Sequence, residues 1–149
     1  LNISGQVIGV NVAMAQGAQN IGFALPIDLV KKDIESVKSK GKIVQPYIGV
    51  RYIPVTKEIQ KANNLSFDYG ALALRGQKVT DFAIVPGSPA DKAGIVENDI
   101  ILDINGTKID SEHQLSDHIA KFNVGDTIAL KRGHKGEEKT VQVKLEERK

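Results

Sequence analysis

The chain has no cysteine. That excludes disulfides and thiolate zinc sites, and it does not by itself fix a compartment. No apolar run approaches the roughly 18 residues a spanning helix needs. Neither sign of charge dominates. Twenty basic against eighteen acidic side chains leave a net charge of +2, and the bases are interspersed with acids rather than gathered in a stripe. There is thus no electrostatic case for nucleic acid. No signal peptide is recognisable, and the chain opens at Leu1-Asn2-Ile3, in the middle of a structural pattern. What remains is an ordinary balance, 41% hydrophobic and 26% charged, suited to a globular domain plus a smaller piece.

One stretch organises the rest: Tyr47-Ile48-Gly49-Val50. Pro46 precedes it and a β-prone run, Val50-Arg51-Tyr52-Ile53, follows. Glycine just before a strand lets backbone amides approach a ligand with no side chain in the way. Several amides converging on one concavity hold an anion without lysine or arginine. The strand behind them offers an edge to an extended peptide. This reads as a carboxylate-binding loop and a receiving strand. The bland reading is an ordinary loop-to-strand entry.

Residues 1–25 read as β structure, with a turn at Ser4-Gly5, a strand Gln6–Ala13, a polar loop Gln16–Asn20 and a strand Ile21–Leu25. So few strands cannot stand alone, and the segment reads as part of a larger sheet. Pro26–Lys40 reads as a helix with Ile27, Val30, Ile34 and Val37 on one buried stripe and Gly41 as its stop. Beyond Ile43 the pattern predicts a short helix over Ile59–Asn63, strands at Gly70–Leu74 and Val79–Val85, and a turn at Pro86-Gly87. Ser88 caps a short helix with Pro89 at its first position and Gly94 at its end. Asp99–Ile104 reads as a strand and Asn105-Gly106 as a hairpin turn. A longer helix is expected from Ser111, with Gln114 in the capping-box position and Leu115, Ile119 and Phe122 on its apolar face. Thr127–Arg132 and Lys139–Leu145 close the domain around a turn at Gly133–Gly136.

The order of these motifs over residues 43–146 resembles the PDZ domain of the HtrA/Deg family of trypsin-like serine proteases. Asn2–Asn11 and Ile21–Pro26 resemble the strands that end that family's protease domain. The resemblance implies an α+β fold: a PDZ-type, partly open β-barrel or sandwich with two helices, preceded by strands left over from a trypsin-like β-barrel. The expected divisions are 1–26 for that remnant, 27–42 for a linker helix and 43–147 for the PDZ domain. The family's Gly-Asn-Ser-Gly-Gly nucleophile motif is absent from the chain. Two departures stand out. Gln45-Pro46 occupies a place where the family often has a basic residue, so the amides carry more of the carboxylate's charge. The Arg75–Phe82 link is longer than the family's minimum, and an exposed hairpin is expected there.

A serine protease needs nucleophile, base and orienting carboxylate within hydrogen-bond reach. None of His113, His118 and His134 sits in a context like the family's catalytic histidine, and the serines read as turn, surface or cap residues. No catalytic residue is assigned. No metal is assigned either, because His113 and His118 are five apart and off one helical face. No cofactor is expected.

The assigned site is for peptide. Tyr47, Ile48, Gly49 and Val50 form the carboxylate loop; Arg51, Tyr52, Gln114, Leu115 and His118 line the groove. Leu115 reads equally well as core, and His118 reads as a groove-lining or surface residue rather than a metal ligand. The reading is a peptide- or C-terminus-binding PDZ module of an HtrA/Deg-like serine endopeptidase of protein quality control, outside the cytoplasm as the resemblance implies. Its partners are C-terminal or unfolded polypeptide segments, not nucleic acid. Self-association stays open, the family often being trimer-based and residues 1–25 being open to strand exchange. The alternatives are a non-proteolytic PDZ scaffold and a regulatory sensor.

Overall fold

The computed structural model describes residues 1–14 and 22–148. The chain divides into two compact units, Leu1–Val44 and Gln45–Lys149.

In the first unit, the carboxamide of Asn2 accepts the amides of Ser4 and Gln6 at 3.0 and 2.9 Å. Gly5 completes the turn with φ +74°. This turn precedes the first strand and does not join two strands, because Asn2 closes it locally. β1 (Gly9–Met14) pairs antiparallel with β2 (Gly22–Pro26), with a register shift between Asn11 and Ala13. The polar loop expected over 16–20 lies outside the described residues. α1 (Ile27–Lys40) follows, and Gly41 at φ +70° ends it by donating to the Val37 carbonyl. Ser36 Oγ fixes the exit, donating to the Lys42 carbonyl and accepting from the Val44 amide, both at 2.9 Å. The helix is where the periodicity puts it, but its stripe is only partly covered: Ile34 and Val37 stay 47% and 46% exposed.

The second unit is built on one antiparallel sheet. Its strands are β4 (Tyr52–Pro54), β5 (Ala71–Ala73), β6 (Ile100–Ile104), β8 (Thr127–His134) and β9 (Glu137–Lys144), in the order β4-β5-β6-β8-β9. β7 (Thr107–Lys108) pairs back on β6 through Asn105-Gly106, whose φ values of +50° and +79° are those of a type I′ hairpin. β3 (Pro46–Tyr47) pairs separately with β10 (Glu146–Glu147). The sheets are open and do not close into a barrel. Three helices accompany them: α2 (Lys57–Asn63), α3 (Pro89–Lys92) and α4 (Leu115–Ala120). The α+β class stands, with one helix more than the pair the family resemblance implies.

β6 is buried on both faces, and a bulge makes that possible. The register against β8 shifts between Ile101 and Asp103. One extra residue turns the alternation over, so Ile101 and Ile104 both join the main core with Ile128, Leu130, Val143 and Leu115. Ile100 and Leu102 join a second cluster, covered by Leu65, Phe67 and Tyr69 from the segment after α2.

Three expected elements differ. Val79–Val85 is not a strand; Ile84 alone makes a bridge, to Val50. Asp81 organises this link as a turn instead. Its carbonyl accepts from Gly76 N at 2.9 Å, its amide donates to the Lys78 carbonyl at 2.9 Å, and its carboxylate accepts from Lys78 N. A side chain that satisfies nearby backbone groups competes with strand pairing, and Val79 is left 92% exposed. The exposed hairpin expected at Arg75–Phe82 is this turn. The last helix starts at Leu115, not Ser111, because the Asp110 carboxylate takes the amides of Glu112 and His113 at 3.0 and 2.9 Å. Gln114 is then the N-cap itself rather than the third helical residue, with no side-chain cap bond. The final hairpin turns at Lys135-Gly136, so β8 and β9 run longer than expected.

Candidate functional site: a strand edge and an amide loop

Ile48, Gly49 and Val50 lie between β3 and β4. The first two carbonyls are fixed from behind: Ile48 accepts from Ala90 N and Gly49 from Val85 N, both at 2.9 Å. α3 supplies the first contact, and Ser88 starts that helix by accepting the Asp91 amide while the Asp91 carboxylate accepts Gly87 N at 2.8 Å. Among the described residues, the amides of Ile48, Gly49 and Val50 donate to no protein acceptor. Three consecutive amides without a protein acceptor thus surround a glycine at φ +83°.

Packing also constrains Gly49. A Cβ on it would meet Ser88 Cβ at 2.2 Å and Ser88 Oγ at 2.5 Å. The glycine is buried, and the direction a side chain would take faces Ser88.

β4 is the edge of its sheet. Arg51 donates to the Ala83 carbonyl at 2.8 Å and accepts from Leu74 N at 3.1 Å; Val55 donates to the Gly70 carbonyl at 2.8 Å. The amide and carbonyl of one residue point the same way, and successive residues alternate. Val50 and Tyr52 therefore turn theirs to the open side. Pro54 is next on that side and has no N–H to offer.

The other assigned residues separate into those at the edge and those behind it. Tyr47 pairs with Glu146 in the small sheet. Val50 and Tyr52 are half-buried and pack against the main core. The Tyr52 hydroxyl accepts from the amide of Ser116, in the first turn of α4, at 3.1 Å. Arg51 is exposed and its guanidinium lies 3.6 Å from Asp81. Leu115 is fully buried and shares a cluster with Ile48, so it is core. Gln114 is exposed at the N-cap of α4.

His118 is 7% exposed, its ring centroid 6.0 Å from that of His113, and its Nε2 has no partner. Burial holds its pKa below the ordinary imidazole value, and Lys121 and His113 add to the effect. His113 bonds the Asp110 carboxylate at 3.0 Å, and that hydrogen bond lowers the Asp110 pKa. Sequence reasoning missed Ser116, whose backbone role leaves no signal. Ser88 it identified as a helix cap, but not as the floor under Gly49.

A buried carboxylate stands outside the groove. Asp99 is 0% exposed and accepts Val96 N at 2.9 Å, Arg132 Nη1 at 2.5 Å and His134 Nδ1 at 2.7 Å. It ties the turn before β6 to β8. The cavity beside it, about 390 Å³, is lined by Gly94, Val96, Arg132, His134 and residues of β9, and by none of the groove residues. Among the described residues, no helix is long and apolar enough to cross a membrane.

Comparison with known proteins agrees with this geometry. The PDZ domain family matches residues 46–145. The chain is 37% identical over 146 residues to a protein of Chlamydia trachomatis named as a DegP-like periplasmic serine endoprotease, covering 96% of this chain and 27% of the relative. It is 33% identical over 155 residues to the serine protease Do-like HtrA of Bacillus subtilis, covering 99% and 33%. The chain thus spans a third or less of the length of these curated relatives. Among solved structures, the serine endoprotease from Yersinia pestis superposes with a TM-score of 0.63 at 26% identity, over 97% of this chain and 44% of that one. The HtrA-type protease AlgW with decapeptide gives 0.76 at 23% identity, over 98% and 43%. The chain belongs to the PDZ domain family, and its sequence kinship is to HtrA- and DegP-type serine proteases.

Proposed function

We propose that the second unit binds the free carboxyl end of an extended polypeptide. The carboxylate sits on the amides of Ile48, Gly49 and Val50, and the peptide adds as an antiparallel strand to Val50 and Tyr52. The observation that carries this reading is the run of three unpaired amides beside an open strand edge. Charge-assisted bonds contribute about 1.5–3 kcal/mol each and ordinary strand bonds about 1 kcal/mol. A micromolar site needs about 8 kcal/mol, within reach of this cradle and a short ladder. The AlgW structures named with a decapeptide and with a tripeptide support a peptide ligand for this fold.

In this reading the unit recognises chain ends for a serine endopeptidase of protein quality control outside the cytoplasm, in keeping with the periplasmic name of the Chlamydia trachomatis relative. The unit itself binds and does not cleave. The first unit is the end of a trypsin-like protease domain, and α1 is the link. The test is a titration with a labelled, hydrophobic-ended peptide in acid and amide forms. Amidation should weaken binding by about 1.5–3 kcal/mol, or about ten- to a hundredfold. Salt should change the difference only modestly, since backbone dipoles hold the charge. Equal binding of both forms would show that the site reads internal segments.

A further inference from the structure

The hairpin of β8 and β9 sets two cations side by side, away from the groove. Arg132 and Lys139 are direct partners in its ladder. Directly opposed side chains share a face, and like charges so placed are unfavourable unless something answers them. Asp99 answers Arg132 through Nη1. It also accepts Val96 N and His134 Nδ1, so it has little left for Lys139. Lys139 is exposed and, among the described residues, in no ion pair.

Arg132 keeps donors in reserve. The described hydrogen bonds engage only its Nη1. Its Nε is buried without a partner, and Nη2 has neither a protein acceptor nor full burial. Arg132 and Lys139 both line the cavity of about 390 Å³ beside Asp99. That volume is at the small end of ligand sites, about 300–1,000 Å³. Gly94 brings no side chain to it, and Val96, 46% exposed, brings an apolar one. Glu137 and Glu138 line it too. A doubly charged anion would be repelled by those carboxylates as well as drawn by the cations. A single carboxylate suits the planar arginine fork and leaves the charges near balance.

We propose that this cavity is a second binding site, for one carboxylate on a short aliphatic stem. Lys139 Nζ and Arg132 Nη2 hold its oxygens, and the stem lies against Val96. A glutamate side chain within a polypeptide and a free short-chain acid offer the same chemistry. The site shares no residue with the amides of 48–50 or the edge of β4, and it does not rest on the peptide-groove reading.

The test is an NMR titration of the full chain at fixed ionic strength. The probes are butyrate, butyramide, and the capped peptides acetyl-Gly-Glu-Gly-amide and acetyl-Gly-Gln-Gly-amide. Butyrate and the Glu peptide should give saturable shifts at the amides of Val96, Arg132 and Lys139, and the two neutral probes should not. Tighter binding of the Glu peptide assigns the site to polypeptides, tighter binding of butyrate to free acids; either supports it. Lys139→Gln should weaken both about tenfold, the order of one charge-assisted bond, and Lys139→Arg should restore most of that. Lys139 is exposed, so both variants keep the fold. Equal shifts from butyrate and butyramide, or unchanged affinity in Lys139→Gln, would overturn the site. Shifts confined to the amides of 48–50 would overturn it and favour the groove alone.

Discussion

The α-carbon of Gly49 faces Ser88 so closely that a Cβ would lie 2.2 Å from the serine Cβ. A side chain at 49 is therefore a packing problem before it is a binding problem. Gly49→Ala should cost about 1–2 kcal/mol for its left-handed backbone and about 1–3 kcal/mol more for overpacking. Pairing it with Ser88→Gly should recover the steric part and leave the backbone part. Urea melts of the two variants separate them. A Gly49→Ala chain as stable as the parent would contradict this.

Asp99 is buried with Arg132, whose side chain is 16% exposed. Removing one partner of a buried pair leaves the other charge uncompensated, at about 3–5 kcal/mol. Asp99→Ala should lower stability by that order, read as a shift of the denaturant midpoint. The acid-peptide affinity of the fraction still folded should be unchanged, because Asp99 touches no groove residue.

His118 makes the fold acid-sensitive. Burial lowers its folded pKa, while the unfolded chain takes up the proton near the ordinary value of about 6.5. Its contribution to stability is full above that value, falls as pH drops toward the lower folded pKa, and levels off below it. Comparing denaturation midpoints near pH 7.5 and near pH 5, about one unit or more either side of that value, His118→Gln should lose less stability than the parent. An identical loss in both proteins would remove His118 from the account.

The first unit exposes large apolar side chains on both β1 and β2, and just before them. Val7, Val12 and Phe23 are 49%, 55% and 57% exposed. Strands so little covered open cheaply. In dilute solution, amides of β1 and β2 should exchange faster than those of β6 and β8. Slowing of that exchange as concentration rises would indicate that a second copy covers them. Protection equal to β6 in a proven monomer would contradict the expectation.

Local chemistry made much of the fold legible. The periodicity of Ile27 to Val37 with Gly41 behind it marks α1, Ser88-Pro89 marks the start of α3, and Asn105-Gly106 marks a hairpin. Each encodes its conformation within a few residues. The failures came where one side chain competes with a regular element. Asp81 turns the chain where β-prone residues promised a strand, and Asp110 delays a helix the pattern started at Ser111. At the site, the loop's glycine and strand were readable. What stands behind Gly49 was not, since the contact with Ser88 joins positions 39 residues apart (88 − 49) in a geometry only the folded chain supplies. Nor does any pattern announce that Tyr52 reaches Ser116.

An open edge that welcomes one strand is also a template for polymerisation. β4 is protected by Pro54, next after Tyr52 on the open side. Two copies meeting edge to edge would lose their ladder there, because proline brings no amide to it. A short chain end needs only the positions before that break. Under the proposed function, the same proline that costs a long strand its grip leaves a brief one untouched, so the edge stays open to a chain end without seeding fibres.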